Sequence, residues 1–106
     1  MIEVTVTKRN GRYLLFESKG HAGFSEAGQD IICSAVSALT INAVNSIDAF
    51  TDDMIHIKNE DGYLEWEFMT GPGTEATLLM DSLLLGLTQI QDNYDKDYLK
   101  ITLKEV

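Results

Sequence analysis

The chain opens on strict alternation, with Ile2, Val4 and Val6 separated by Glu3, Thr5 and Thr7. A period of two predicts a strand with one buried face. Asn10-Gly11 follows, a strong signal for a tight hairpin turn, and Tyr13 to Ser18 reads as the return strand. Gly20 to Gln29 contains three glycines and reads as a loop. From Ile31 the spacing lengthens: Ile32, Val36, Leu39, Ala43, Ile47 and Phe50 recur every three or four residues. That spacing predicts one helix, entered through Asp30 as its N-cap and ending near Asp48 to Phe50.

The second half repeats the order loosely. Ile55 and Ile57 alternate with His56 and Lys58, Glu60-Asp61-Gly62 turns the chain, and Leu64, Trp66 and Phe68 alternate with Glu65, Glu67 and Met69. Thr70-Gly71-Pro72-Gly73 breaks the strand. A second helix is predicted from about Glu75 to Asn93, its core stripe being Met80, Leu83, Leu84, Leu87, Ile90 and Tyr94. Leu78 and Leu85 lie off that stripe, and Gly86 sits inside the helix at a cost of up to about 1 kcal/mol relative to alanine; a closely packed neighbour accounts for both. Leu99, Ile101 and Leu103 alternate in a last strand.

The order is β-β-α-β-β-α-β. Alternating strands imply a sheet covered on one face, and two amphipathic helices suffice to cover it. The expected architecture is an α+β two-layer sandwich: a five-stranded, mostly antiparallel sheet with two helices on one face. Strand order is not legible in the pattern. Residues 1–106 are expected to form a single domain, since 106 residues at 44% hydrophobic suit one core.

Charge narrows the partners. Eight Lys+Arg stand against 17 Asp+Glu, a net charge of −9, so direct nucleic-acid binding is not expected. A basic protein or peptide is the better electrostatic match. The N-terminus has no signal-peptide layout, no apolar stretch is read as approaching membrane-spanning length, and the cytoplasm is the expected compartment, with no membrane partner. The breadth of apolar surface on the second helix makes a homodimer plausible.

The candidate chemistry lies where strand becomes helix. His21 and Cys33, the only cysteine, stand twelve residues apart across Gly23, Phe24, Ser25, Glu26, Ala27 and Gly28. One cysteine excludes an internal disulfide and leaves either a small buried side chain or a reactive thiol. With Asp30 as cap, Cys33 is the third helical residue, where partial positive charge favours a thiolate and free N–H groups can hold an oxyanion. His21 can take the thiol proton and return it to a leaving amine. Asp30 can orient that ring or act as a cap alone. Ser37, four residues on, can donate to the sulfur or simply occupy a tight helix contact. The glycine loop reads either as a mobile lid or as an ordinary connection. His21, Asp30 and Cys33 are too few ligands for a metal site, so no metal or other cofactor is expected. These residues leave three readings open: a Cys-His endopeptidase, a non-catalytic acidic binding module such as a ribosome assembly factor, and a redox-sensing thiol.

At the same residues the chain resembles a known family. Gly20-His21-Ala22, Gly28, Asp30-Ile31-Ile32-Cys33 and Val36-Ser37 are similar to the signature of the ribosomal-processing cysteine protease Prp family, including the His-to-Cys spacing. The resemblance runs the length of the chain. It implies an endopeptidase that removes the N-terminal extension of large-subunit ribosomal protein twenty-seven after a short apolar, aromatic-rich segment. It also implies Cys33 as nucleophile, His21 as base, Asp30 and Ser37 as supporting residues, a mobile loop over the site, and a homodimer. Ser34 stands where the family commonly has alanine, and the loop Gly23 to Ala27 is individual to this chain.

Overall fold

The structure is a computed structural model that describes residues 1–20, 27–94 and 97–106, with the side chains of 27–30 outside the description. β1 (Ile2–Arg9) and β2 (Arg12–Lys19) form a hairpin, followed by α1 (Ala27–Phe50). A second hairpin, β3 (Ile55–Glu60) and β4 (Tyr63–Phe68), leads to α2 (Thr74–Asn93) and β5 (Leu99–Glu105). The order is the one the periodicity predicts.

The sheet order is β3-β4-β2-β1-β5. β1–β2, β2–β4 and β3–β4 pair antiparallel, and β1–β5 pairs parallel. The first turn places Asn10 at φ 52° and Gly11 at φ 75°, two successive positive values that match the right-handed twist of a hairpin.

The register carries one irregularity. Thr7 pairs with Leu15 and Lys8 with Tyr13, which leaves Leu14 as an extra residue on β2. Such a bulge shifts the alternation beyond it. Tyr13 therefore turns inward with Phe16, and its phenol donates to the Asp81 carboxylate on α2.

The buried residues form one cluster. Val4, Val6, Phe16 and Trp66 from the sheet meet Ile32, Val36 and Ile47 of α1 and Met80, Leu83 and Leu87 of α2. Phe16 and Trp66, cross-strand partners, stack with ring centroids 4.2 Å apart. Where α1 crosses α2, a Cβ built on Gly86 would lie 2.9 Å from Leu39 Cδ1. The missing side chain lets the helices close up, the neighbour that the sequence called for.

Four expectations change. Phe50 and Tyr94, assigned to the core stripes, are exposed at 76% and 50%; each lies at the end of its helix, past the sheet that buries the rest. α1 begins at Ala27, before Asp30, so Ala27 and Gly28 are helical and not part of the loop, and Asp30 is not the N-cap. Edge strand β3 is exposed, with Ile57 at 45%. Finally, Ile31–Phe50 is long and apolar enough to cross a membrane by composition, with a mean hydropathy of 1.4. It merges a core-facing stripe with Ile31 and Ile41 on the exposed side, and Ile32, Val36, Val44 and Ile47 pack into the cluster.

Candidate active site

α1 starts over one end of the sheet, and a cleft of about 170 Å³ opens between them. One wall is helical. Cys33, Ser37 and Ile41 follow at intervals of four residues, with Val36 and Thr40 beside them, as the period of an α-helix requires. Thr40 is buried, and its hydroxyl bonds back to the carbonyls of Val36 (2.9 Å) and Ser37 (3.2 Å). Its polar group is thus satisfied within the helix.

The other wall comes from strand ends. Ile2, Ser18 and Gly20 close one side, and the β3–β4 hairpin contributes Asn59, Glu60 and Leu64. Gly20 is fixed by its neighbours: its φ is +106°, its N–H donates to the Gly62 carbonyl at 3.0 Å, and a Cβ there would lie 2.3 Å from the Met1 carbonyl oxygen. Only glycine fits this position. It is the residue immediately before His21 in the sequence, and this strand end is hydrogen-bonded to the second hairpin and packed against the N-terminus.

The sequence-predicted residues fare differently. Cys33 and Ser37 share one helix face and one cleft, as expected from their spacing. Cys33 is partly exposed and packs on the edge of the core, so it is neither fully buried nor free in solvent. His21 and loop residues Gly23, Phe24, Ser25 and Glu26 lie outside the described residues, as does the side chain of Asp30.

One part of the expected chemistry is corrected. With α1 starting at Ala27, Cys33 lies in the second turn rather than the first. A helix leaves only its first four N–H groups unpaired, and Cys33 falls beyond them. Its own N–H is engaged in the helix and cannot act as the free oxyanion donor that an Asp30 cap implied.

No local pattern pointed to the hairpin wall. Asn59, Glu60 and Leu64 read as ordinary strand positions; they become site residues because β4 pairs with β2 and brings the β3–β4 turn beside Gly20.

Among the described residues lining the cleft, Glu60 carries the charge. Tyr63 donates its phenol to Glu65 Oε1 at 2.7 Å. This hydrogen bond, with some burial and the charges of Glu17, Glu65 and Glu60, pushes its pKa up to about 12. The phenol therefore remains a neutral donor at physiological pH.

Comparison with known proteins places this geometry. The family model "Cysteine protease Prp" matches residues 1–100. The Ribosomal processing cysteine protease Prp of Bacillus subtilis (strain 168) is 33% identical over 109 residues, covering 96% of each chain. Two solved structures of the Staphylococcus aureus ribosomal processing protease Prp superpose on this fold at 28% identity. One, in complex with a covalently linked product peptide, has a TM-score of 0.88 and covers 98% of this chain and 100% of its own. The other, in complex with a substrate peptide, has a TM-score of 0.85 and covers 100% of both. With the sheet, the thiol-bearing helix and the sequence all in agreement along nearly the whole length, this chain belongs to the Prp family of cysteine proteases.

Proposed function

We propose that this chain is the endopeptidase that removes the N-terminal extension of large-subunit ribosomal protein twenty-seven, with Cys33 as nucleophile and His21 as general base. The observation that carries the reading is Cys33, partly exposed in a cleft whose wall contains Gly20, the residue before His21. Eleven residues lie between His21 and Cys33, and the bond from the Gly20 N–H to the Gly62 carbonyl fixes the strand end that precedes His21 in the sequence.

His21 takes the proton from the Cys33 thiol, and Sγ attacks the carbonyl carbon of the scissile peptide. The tetrahedral oxyanion collapses, the C–N bond breaks, and His21 gives its proton to the leaving amine. Water, deprotonated by His21, then hydrolyses the thioester and restores the thiol. Asp30 orients the imidazole, and Ser37, one turn below the sulfur, supplies a hydroxyl to the site. The covalently linked product peptide on the Staphylococcus aureus relative supports a covalent route.

The net charge of −9 suits a basic ribosomal protein by electrostatic steering, and the cytoplasm is where such a substrate is made. The chain works as a homodimer; Leu78 and Leu85, exposed on α2, support a self-associating face. Sedimentation analysis should find two copies per particle.

The decisive experiment incubates the protein with a peptide spanning the extension and follows the products by mass spectrometry. A single cut that disappears in Cys33→Ala and His21→Ala is the expected result. Cleavage by Cys33→Ala at the parent rate would overturn the proposal.

A further inference from the structure

The outer edge of β3 is open among the described residues and lies next to the cleft. β3 pairs with β4 over all six of its residues without a bulge, and no described strand lies beyond it. The two-residue turn Asp61-Gly62 makes Glu60 and Tyr63 the closing pair. In an antiparallel ladder, hydrogen-bonded pairs alternate with non-bonded ones. Glu60, Lys58 and His56 therefore direct their backbone groups to β4, whereas Asn59, Ile57 and Ile55 direct theirs to the open edge. Natural sheets usually blunt such an edge with a bulge, a proline or inward-pointing charge, and β3 has none of these on its helix-facing side, which carries Ile55, Ile57 and Asn59.

This edge is continuous with the active-site cleft. Asn59 and Ile41 line the same space as Cys33. Ile57, two residues from Asn59 on the same face, is 45% exposed, and Ile41, on the helical wall, is 40% exposed. Ile57 thus carries apolar surface along β3 beyond Asn59, and Ile41 supplies it on the helical wall of the cleft. The ends of β3 are acidic, with Glu60 in the cleft wall and exposed Asp52 just ahead of the strand.

We propose that a basic substrate peptide docks as an added strand on the free edge of β3. It pairs its backbone with Ile57 and Asn59, rests alternate side chains beside Ile57, and runs on past Asn59 toward Ile41 and the cleft that holds Cys33. The inference rests on the endopeptidase reading for the identity of the peptide, but its geometry is separable from catalysis. Strand addition takes affinity from main-chain hydrogen bonds and selectivity from every second side chain, so it predicts a period of two along the substrate.

The test measures binding to the full-length Cys33→Ala protein by fluorescence anisotropy, using the labelled cleavage-assay peptide. Single backbone N-methyl groups are placed in turn along it. Methylation at alternate positions should weaken binding by about tenfold or more, and at the intervening positions by less than about twofold. Ile57→Lys should weaken the basic peptide similarly, and in the otherwise parent enzyme it should raise KM with little change in kcat.

Uniform N-methyl effects, no effect, or no detectable binding of the unmodified peptide would overturn the docking mode. The methylated peptides leave the protein unaltered, so that arm decides even if Ile57→Lys folds poorly. If Ile57→Lys instead separates a dimer into monomers and leaves peptide binding intact, the edge belongs to a second copy and the proposal fails. An alternating pattern in a protein that cleaves nothing would keep the docking strand and remove the endopeptidase reading.

Discussion

Cys33 and Ser37 stand one helical turn apart on α1 and open into the same cleft. If the thiol is the nucleophile, the two substitutions differ by orders of magnitude. Cys33→Ala should lower kcat/KM on the order of a thousandfold or more, because no other group forms the covalent intermediate. Ser37→Ala removes a hydroxyl able to give the site one hydrogen bond, worth about 0.5–1.5 kcal/mol, so the expected loss is roughly two- to tenfold. Ser37 is exposed, so its thermal unfolding should match the parent. Steady-state kinetics on the cleavage-assay peptide check both.

Gly20 is the position where backbone geometry reaches the chemistry. Gly20→Ala meets a positive φ and the Met1 carbonyl oxygen at once. The strand end must shift, moving the start of the segment that holds His21. The expected stability loss is about 1–2 kcal/mol; if His21 is the base, kcat should also fall by at least about tenfold, since small displacements of a base are costly. Circular dichroism with single-turnover kinetics separates the two. A variant as active as the parent would show that the Gly20 strand end does not position a catalytic imidazole.

Tyr13 makes the fold sensitive to alkali. Burial, then the hydrogen bond to Asp81 and its negative charge, raise its pKa well above the ordinary value near 10. Below pH 10 the phenol is protonated in both folded and unfolded chains, and its contribution is complete. As pH rises past 10, the unfolded chain releases the proton first and stability declines toward the raised folded value. Tyr63, nearer the surface, acts in the same direction. Tyr13→Phe should cost about 1 kcal/mol at neutral pH and flatten the alkaline limb in urea titrations.

Trp66 is the only tryptophan, fully buried against Phe16, and its indole N–H has no partner among the described residues. Its fluorescence should resist external quenchers until the sheet unfolds. Trp66→Ala should cost about 3–5 kcal/mol through the cavity it leaves. Trp66→Phe should cost less than half as much, because it keeps the ring stack and removes an unsatisfied donor. Circular dichroism melts compare the two without depending on the fluorophore.

Much was legible from local pattern. The alternation of Ile2, Val4 and Val6, the Asn10-Gly11 turn and the stripe from Ile32 to Ile47 report short-range geometry, and all reappear in the structure. The Cys33–Ser37 pair was legible for the same reason, since helical period places them together without help from the rest of the chain. The helix start was misread because Asp30 fits a cap locally, whereas α1 continues one turn further back. The Leu14 bulge was not legible either, as a strand pattern does not show which residue its partner skips.

Local pattern settled the element order, most of the core-facing positions and the thiol on the helix, because these follow from residues a few positions apart. Tertiary structure alone decided that β4 joins β2, and so brings Asn59, Glu60 and Leu64 to the cleft, with β3 left as the open edge beside it. Pairing between distant strands depends on which faces complete a common core, a property of the whole chain that no single segment encodes.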